Sequence, residues 1–201
     1  MVDLTPEAFR TLGYQAIDLL ADHMTTLPDT PCRQPVPDDI RAALLEQPLP
    51  LEPQTSTDIL ERFTHLVLPY PMGNAHQRFF AWVNSPPAPL AILAELLASG
   101  MNPSVAGGDH AATYVEHTVL RWLKQLLNYP SDSGGLFTSG GSVANLIGLA
   151  TMRYAKATTN TRTEGLWSEA APMVVYTSAQ GHSCIEKAVE LLGIGHAYLY
   201  K

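Results

Sequence analysis

Apolar residues recur at helical spacing along most of this chain, and prolines and glycines punctuate the periodic stretches. In the first stretch Phe9, Leu12, Ala16, Ile17, Leu20 and His23 share one face. Thr5 is placed to cap that helix, and Pro6 suits its first position, where no backbone N–H is needed. "LPDTPCRQPVPDD" follows. Its prolines, Pro28, Pro31, Pro35 and Pro37, predict an extended arm. "DDIRAALLEQ" predicts a short helix and "PLPLEPQTSTD" a proline-broken connector. "STDILERFTHLVLP" predicts a third helix, with Ser56 as cap and Ile59, Phe63 and Leu66 along one stripe. Short helices on stiff arms bury little of their own apolar surface. They are expected to lie on another body, either the rest of the chain or a second subunit.

The texture changes near residue 76. "HQRFFAWVN" reads as a strand or a buried extended segment. "SPPAPLAILAELLASGMN" is a helix entered through Pro86, Pro87 and Pro89 and left through Gly100. In "AATYVEHTVLRWLKQLLNYP", Val115, Val119, Trp122, Leu123 and Leu126 share a face, and Pro130 closes the helix. A short strand is expected at 136–138, then a helix in "SVANLIGLATMRYAKA" and an exposed connector in "TTNTRTEGLWSEAAP". "MVVYTS" reads as a buried strand; "AQGHSCIEKAVELLGIG" reads as a turn and a helix stopped at Gly193. Helices alternating with short apolar strands predict an α/β fold with a largely parallel sheet.

Composition narrows the function classes. With 46% hydrophobic and 15% charged residues, the 201-residue chain has the make-up of a globular protein with a real core. A net charge of −7 and no basic cluster argue against nucleic acid. Apolar runs fall short of the roughly 20 residues that span a bilayer. "MVDLTPEAFR" has no signal-peptide character, and two cysteines, Cys32 and Cys184, suit a reducing cytoplasm. His23, His65, His76, His110, His117 and His196 show no metal-ligand spacing, so no metal is expected. His76, among aromatic residues, stands out from the others.

The candidate chemistry lies in "FTSGGSVANLIG", residues 137–148. Gly140, Gly141 and Ser142 stand where a loop becomes a helix. The first N–H groups of a helix lack internal partners and the helix dipole is positive there, so an anion fits. No lysine follows the glycines and their spacing is not that of a dinucleotide fingerprint, so neither familiar nucleotide loop applies. A plain turn capped by Ser142 is the alternative reading. His182 follows an apolar strand and enters a helix, at the carboxyl end of the strand, where ligands collect in parallel sheets. There it can stack on a flat ring or donate to a substrate, or simply be a solvent-exposed helix-start residue.

Four blocks in order, "HQRFFAWVNSPPAPLAILAELLASGMN", "AATYVEHTVLRWLKQLL", "GGLFTSGGSVANLIGLATMR" and "VVYTSAQGHSCIEKAVELLGIG", resemble the pyridoxal phosphate-dependent group II amino-acid decarboxylases. The proline-rich helical start is similar to the aromatic-L-amino-acid branch. The resemblance implies the N-terminal part of a fold type I large domain, spanning 86–201 and incomplete at its C-terminus. A helical arm over 1–85 would precede it and wrap a partner in a homodimer. It implies pyridoxal 5'-phosphate as cofactor and decarboxylation of an L-amino acid to an amine and CO2. The phosphate loop would fall on Gly140, Gly141 and Ser142, with Gly141 and Ser142 as donors. The ring-stacking, catalytic histidine would fall on His182. The substrate pocket would fall on Phe80, Trp82 and Ser85, with Phe79 also helping to form its wall.

Departures from the family pattern matter as well. The family's Schiff-base lysine and pyridine-pairing aspartate match no residue here: Lys124, Lys156, Lys187 and Lys201 lie in no corresponding motif. The chain is thus expected to be a fragment, inactive alone. Val143 stands where an acidic residue often follows the loop serine, and "NPSVAGGDHAAT" lacks an aromatic residue usual in aromatic-substrate members. Alternatives are an aldehyde synthase or other lyase on the same fold, a non-catalytic fragment acting by dimerisation, and a generic phosphate-binding module.

Overall fold

The structure is a computed structural model that describes residues 4–201. The chain forms two compact units, Met1–Asn102 and Pro103–Lys201.

The first unit is helical. Helix α1 (Pro6–Thr26) starts as its sequence demands: the Thr5 hydroxyl accepts from the Ala8 N–H, with proline in the first turn. Helix α2 spans Asp38–Leu45 and α3 spans Ser56–Leu66. The cap of α3 is Thr55, whose hydroxyl accepts from the Asp58 N–H at 3.1 Å; Ser56 is already helical. Helix α4 (Pro89–Met101) runs through Gly100 and stops at Asn102, which takes a left-handed conformation at φ 43°. Asparagine tolerates that conformation better than most residues.

The segment "HQRFFAWVN" is neither strand nor buried. Its backbone closes turns instead, with the His76 N–H donating to Gly73 O and the Phe79 N–H to His76 O. The one buried side chain there is His76, at 3% exposure. Its Nδ1 accepts the Arg78 N–H, so the neutral ring carries its proton on Nε2, which faces the Thr30 carbonyl at 3.1 Å. His76 is therefore a structural clasp on the proline arm. Gly73 makes the close approach possible: its φ is +94°, and a Cβ there would overlap the Cys32 carbonyl oxygen.

The second unit realises the α/β pattern on a small scale. Helices α5 (Ala111–Leu126), α6 (Gly141–Lys156), α7 (Thr161–Glu164) and α8 (Cys184–Leu191) accompany strands β1 (Val175–Tyr176) and β2 (Leu199–Tyr200). The strands pair in parallel, Val175 opposite Leu199 and Tyr176 opposite Tyr200, with α8 as the crossover. Val175, Val189 and Ile194 form the core, backed by Leu149, Met152, Met173, Leu192 and Leu199. Arg153 Nη1 donates to the Leu192 carbonyl at 2.7 Å and fixes the end of α8 to α6. Residues 136–138, expected as a strand, have no ladder partner among the described residues and are not one. Helix α5 ends short of Pro130: Asn128 turns left-handed at φ 55°, and Lys124 Nζ donates to the Ser131 and Ser133 carbonyls.

The connector after α6 is more ordered than its composition suggests. Besides α7, it contains a carboxylate clamp: Glu169 accepts from the backbone N–H and hydroxyl of both Thr158 and Thr159, at 2.7–3.1 Å. These donors, the Thr158 hydroxyl foremost, lower the Glu169 pKa from 4.5 to about 2.

Two outcomes follow from this packing. Val189→Ala, at a position with 0% exposure, is expected to cost about 2 kcal/mol, seen as a lower denaturant midpoint. For Glu169, a folded pKa below the unfolded one means the clamp is intact above pH 4.5 and is lost as pH falls through about 2. A side-chain carboxyl NMR titration should place the midpoint near the lower value. An ordinary glutamate midpoint would show that the clamp does not form.

Candidate functional site

Helix α6 is preceded by the glycine loop, and the way it starts decides what the loop can do. The N-cap is Gly140, not Ser142, and no side chain caps the helix. The first intrahelical bond runs from the Ala144 N–H to Gly140 O at 3.1 Å. The amides of Gly141, Ser142 and Val143 precede it and have no carbonyl one turn back to reach. The Ser142 hydroxyl makes no hydrogen bond among the described residues, so its donor is unspent. A Cβ built on Gly140 or Gly141 meets nothing within 4 Å, so the space beside both α-carbons is open. The Thr138 hydroxyl donates to the Gly140 carbonyl at 3.1 Å and so ties the loop to the helix N-cap. Together these are the donors and the clearance a phosphate monoester needs.

His182 stands at the matching place on α8. The chain leaves β1, turns at Ser178–Gly181 through a 2.8 Å bond from the Gly181 N–H to Ser178 O, and presents His182 before the helix. The His182 Nδ1 accepts the Cys184 N–H at 3.1 Å. The neutral ring then carries its proton on Nε2, which makes no hydrogen bond among the described residues and is exposed. Gly181 cannot be another residue without movement. Its Cβ would stand 2.8 Å from Thr177 Oγ1 and 3.0 Å from Ser178 O.

The structure brings the loop and His182 together, because α6 and α8 pack against each other from their first turns onward. Asn145, on α6, donates from Nδ2 to Gly141 O at 2.8 Å and to Cys184 Sγ at 3.5 Å. Neither Asn145 nor Cys184 stood out in the sequence. An asparagine four residues into an amphipathic helix looks like any solvated polar position, and only the i to i−4 spacing to Gly141 hinted at a bond.

Phe80, Trp82 and Ser85 belong to the first unit. Phe80, in irregular backbone, is 93% exposed and Trp82, in a turn, is 74% exposed. Trp82 has φ 56° and meets Phe79 at a ring-centroid distance of 6.0 Å. The Ser85 carbonyl accepts from Asn74 Nδ2 at 3.3 Å. Of the lysines, Lys201 pairs with Glu186, whose carboxyl its hydrogen bond and charge hold below the ordinary range; Lys124 is committed to carbonyls. No helix among the described residues is long and apolar enough to cross a membrane.

Known proteins resemble the chain over nearly all of its length. The pyridoxal-dependent decarboxylase conserved domain matches residues 37–200. An aromatic-L-amino-acid decarboxylase of Bacillus atrophaeus is 34% identical over 97% of this chain and 39% of its own length. A phenylacetaldehyde synthase of Petunia hybrida is 30% identical over 95% of this chain and 38% of its own. The crystal structure of Oryza sativa TDC with PLP and tryptamine superposes with a TM-score of 0.83 at 26% identity, covering 100% of this chain and 42% of that one. The chain thus spans about two fifths of the length of the relatives it matches. Its fold is the N-terminal part of a fold type I large domain with a helical arm before it.

Gly181→Ala is expected to destabilise the second unit by about 1–3 kcal/mol, since the intruding methyl meets Thr177 and a backbone carbonyl. A thermal unfolding midpoint equal to that of the unsubstituted chain would show that the Ser178–Gly181 turn is looser than described.

Proposed function

The chain belongs to the pyridoxal-dependent decarboxylase family, and on that premise we propose that it carries the phosphate-binding and ring-stacking parts of an enzyme that converts an L-amino acid to an amine and CO2. The family's cofactor is pyridoxal 5'-phosphate. When bound, it supplies an electron sink for the charge left as CO2 departs. The observation that carries the reading is the unspent donor set at the start of α6: open glycines and an unbonded serine hydroxyl beside a histidine ring held by one nitrogen.

In this reading Gly141 and Ser142 donate their amides, and Ser142 its hydroxyl, to the phosphate, with the positive end of α6 behind them. Gly140 keeps the approach clear. His182 lies against the cofactor ring with Nδ1 tied down, so its Nε2–H faces substrate and can hold or pass a proton. Phe80, Trp82 and Ser85 line the substrate pocket, and an aromatic L-amino acid is the first substrate to try, by the likeness to the Bacillus enzyme. The exposed apolar residues of the arm, among them Phe9 on α1 and Ile59 on α3, suit burial against a partner subunit in a homodimer. None of the four lysines stands in a position to hold the cofactor covalently by the family's motif, and two are engaged elsewhere. This polypeptide alone is therefore expected to bind the cofactor reversibly and to lack decarboxylase activity, with the lysine supplied by further residues of the whole protein. The likeness to the Petunia enzyme favours one second reading, an aldehyde synthase built on the same cradle. In the whole protein, amine with CO2 or aldehyde with ammonia among the products separates the two.

Titration of the chain with pyridoxal 5'-phosphate and with pyridoxal tests the cradle directly. Binding is expected to be at least about tenfold tighter for the phosphorylated form, about 1.4 kcal/mol. Ser142→Ala should narrow that gap, because a hydrogen bond to a charged group contributes about 1.5–3 kcal/mol. Equal affinity for the two ligands would sink the proposal.

A further inference from the structure

The glycine loop and His182 are held by different helices, and each could drift without the other. One side chain spans them. The Asn145 carboxamide gives one N–H to Gly141 O, on the first residue of α6, at 2.8 Å. It gives the other to Cys184 Sγ, on the first residue of α8, at 3.5 Å. The Cys184 N–H in turn fixes His182 Nδ1 at 3.1 Å. Both acceptors lack hydrogens to donate, or donate weakly, so the Nδ2 orientation of the amide is the only one that satisfies both. Cys184 is 7% exposed and, with Ala188 and Val189, is one of the buried residues of α8, so the far end of the bridge is enclosed.

We propose that Asn145 is a positioning residue that holds the phosphate cradle and the His182 ring in register, through Gly141 on one side and Cys184 on the other. The inference rests on the reading of Gly140–Ser142 as a phosphate site. A cofactor gripped at both its phosphate and its ring tolerates little relative movement of the two grips, since an error of about 1 Å in positioning already costs large factors in rate. Asn145 touches neither cofactor nor substrate in this scheme; it sets the spacing between the residues that do. An aspartate at the same place would bring two acceptors against the Gly141 carbonyl oxygen, and an alanine would leave Gly141 and Cys184 unconnected.

The test uses the full 201-residue chain, without and with pyridoxal 5'-phosphate. Without cofactor, the ring nitrogens and protons of His182 are read by NMR in the unsubstituted chain, in Asn145→Ala and in Cys184→Ala. Both substitutions are expected to shift the His182 ring signals or make them exchange between positions. A residue that merely stabilised α6 would lower the unfolding midpoint and leave those signals in place. With cofactor, Asn145→Ala is expected to weaken binding of pyridoxal 5'-phosphate about tenfold and to change the affinity for inorganic phosphate by less than about threefold. The cradle donors themselves remain in place. Unchanged His182 signals together with unchanged cofactor affinity overturn the positioning role while phosphate-dependent binding by the unsubstituted chain leaves the cradle standing. If the unsubstituted chain binds pyridoxal as tightly as its phosphate, the cradle reading fails, and the positioning role fails with it. Should Asn145→Ala unfold, Cys184→Ala cuts the same bridge from the other end and decides the question alone.

Discussion

Val189, wholly removed from solvent, is the contact on which the second unit is assembled. It closes α8 onto β1 through Val175 and onto the loop after α8 through Ile194, and Leu149 and Met152 of α6 pack on the same cluster. Remove that contact and α6 has little reason to lie along α8. The two polar ties, Arg153 to the Leu192 carbonyl and Asn145 to Cys184, sit at opposite ends of the pair and set its register once the apolar faces have met. Dispersion and hydration draw the helices together, and directional bonds then choose among the sliding positions that remain.

Because the pair is fixed in this way, the chemistry of the site is inherited from backbone geometry more than from unusual side chains. The donors at the start of α6 are amides that any helix leaves over, made accessible by two residues without side chains. His182 is an ordinary imidazole made directional by one amide bond from Cys184. The strained or special positions support these groups rather than act themselves. Gly181 turns the chain from β1 toward His182, and Gly73 lets the proline arm close on the His76 clasp.

Helices were legible in the sequence because their signals are local. Thr5 with Pro6, the 3.6-residue stripes and the glycine after α8 each act within a turn or two. The misplacements were also local in cause: Thr55 rather than Ser56 caps α3, and Gly140 rather than Ser142 caps α6, since adjacent hydroxyls and glycines compete and only backbone angles decide. Strands were harder. "MVVYTS" yielded two residues of strand because β2 is only that long, while "HQRFFAWVN" and residues 136–138 have the composition of strands without a neighbour to pair with. Pairing is a long-range property that composition does not carry. The cradle and His182 were visible as residues, at two helix starts. Their link through Asn145 was not, because it depends on which face of α6 meets α8.

The two thiols of the chain report on different parts of it. Cys32 lies partly open on the proline arm, and Cys184 is enclosed at the start of α8. A reagent that alkylates thiolates meets the first at once and reaches the second only when α6 and α8 part, because a thiol inside a packed interface reacts no faster than the interface opens. The molecule thus contains a clock for its own breathing: the lag between the two modifications reports how often α6 and α8 come apart.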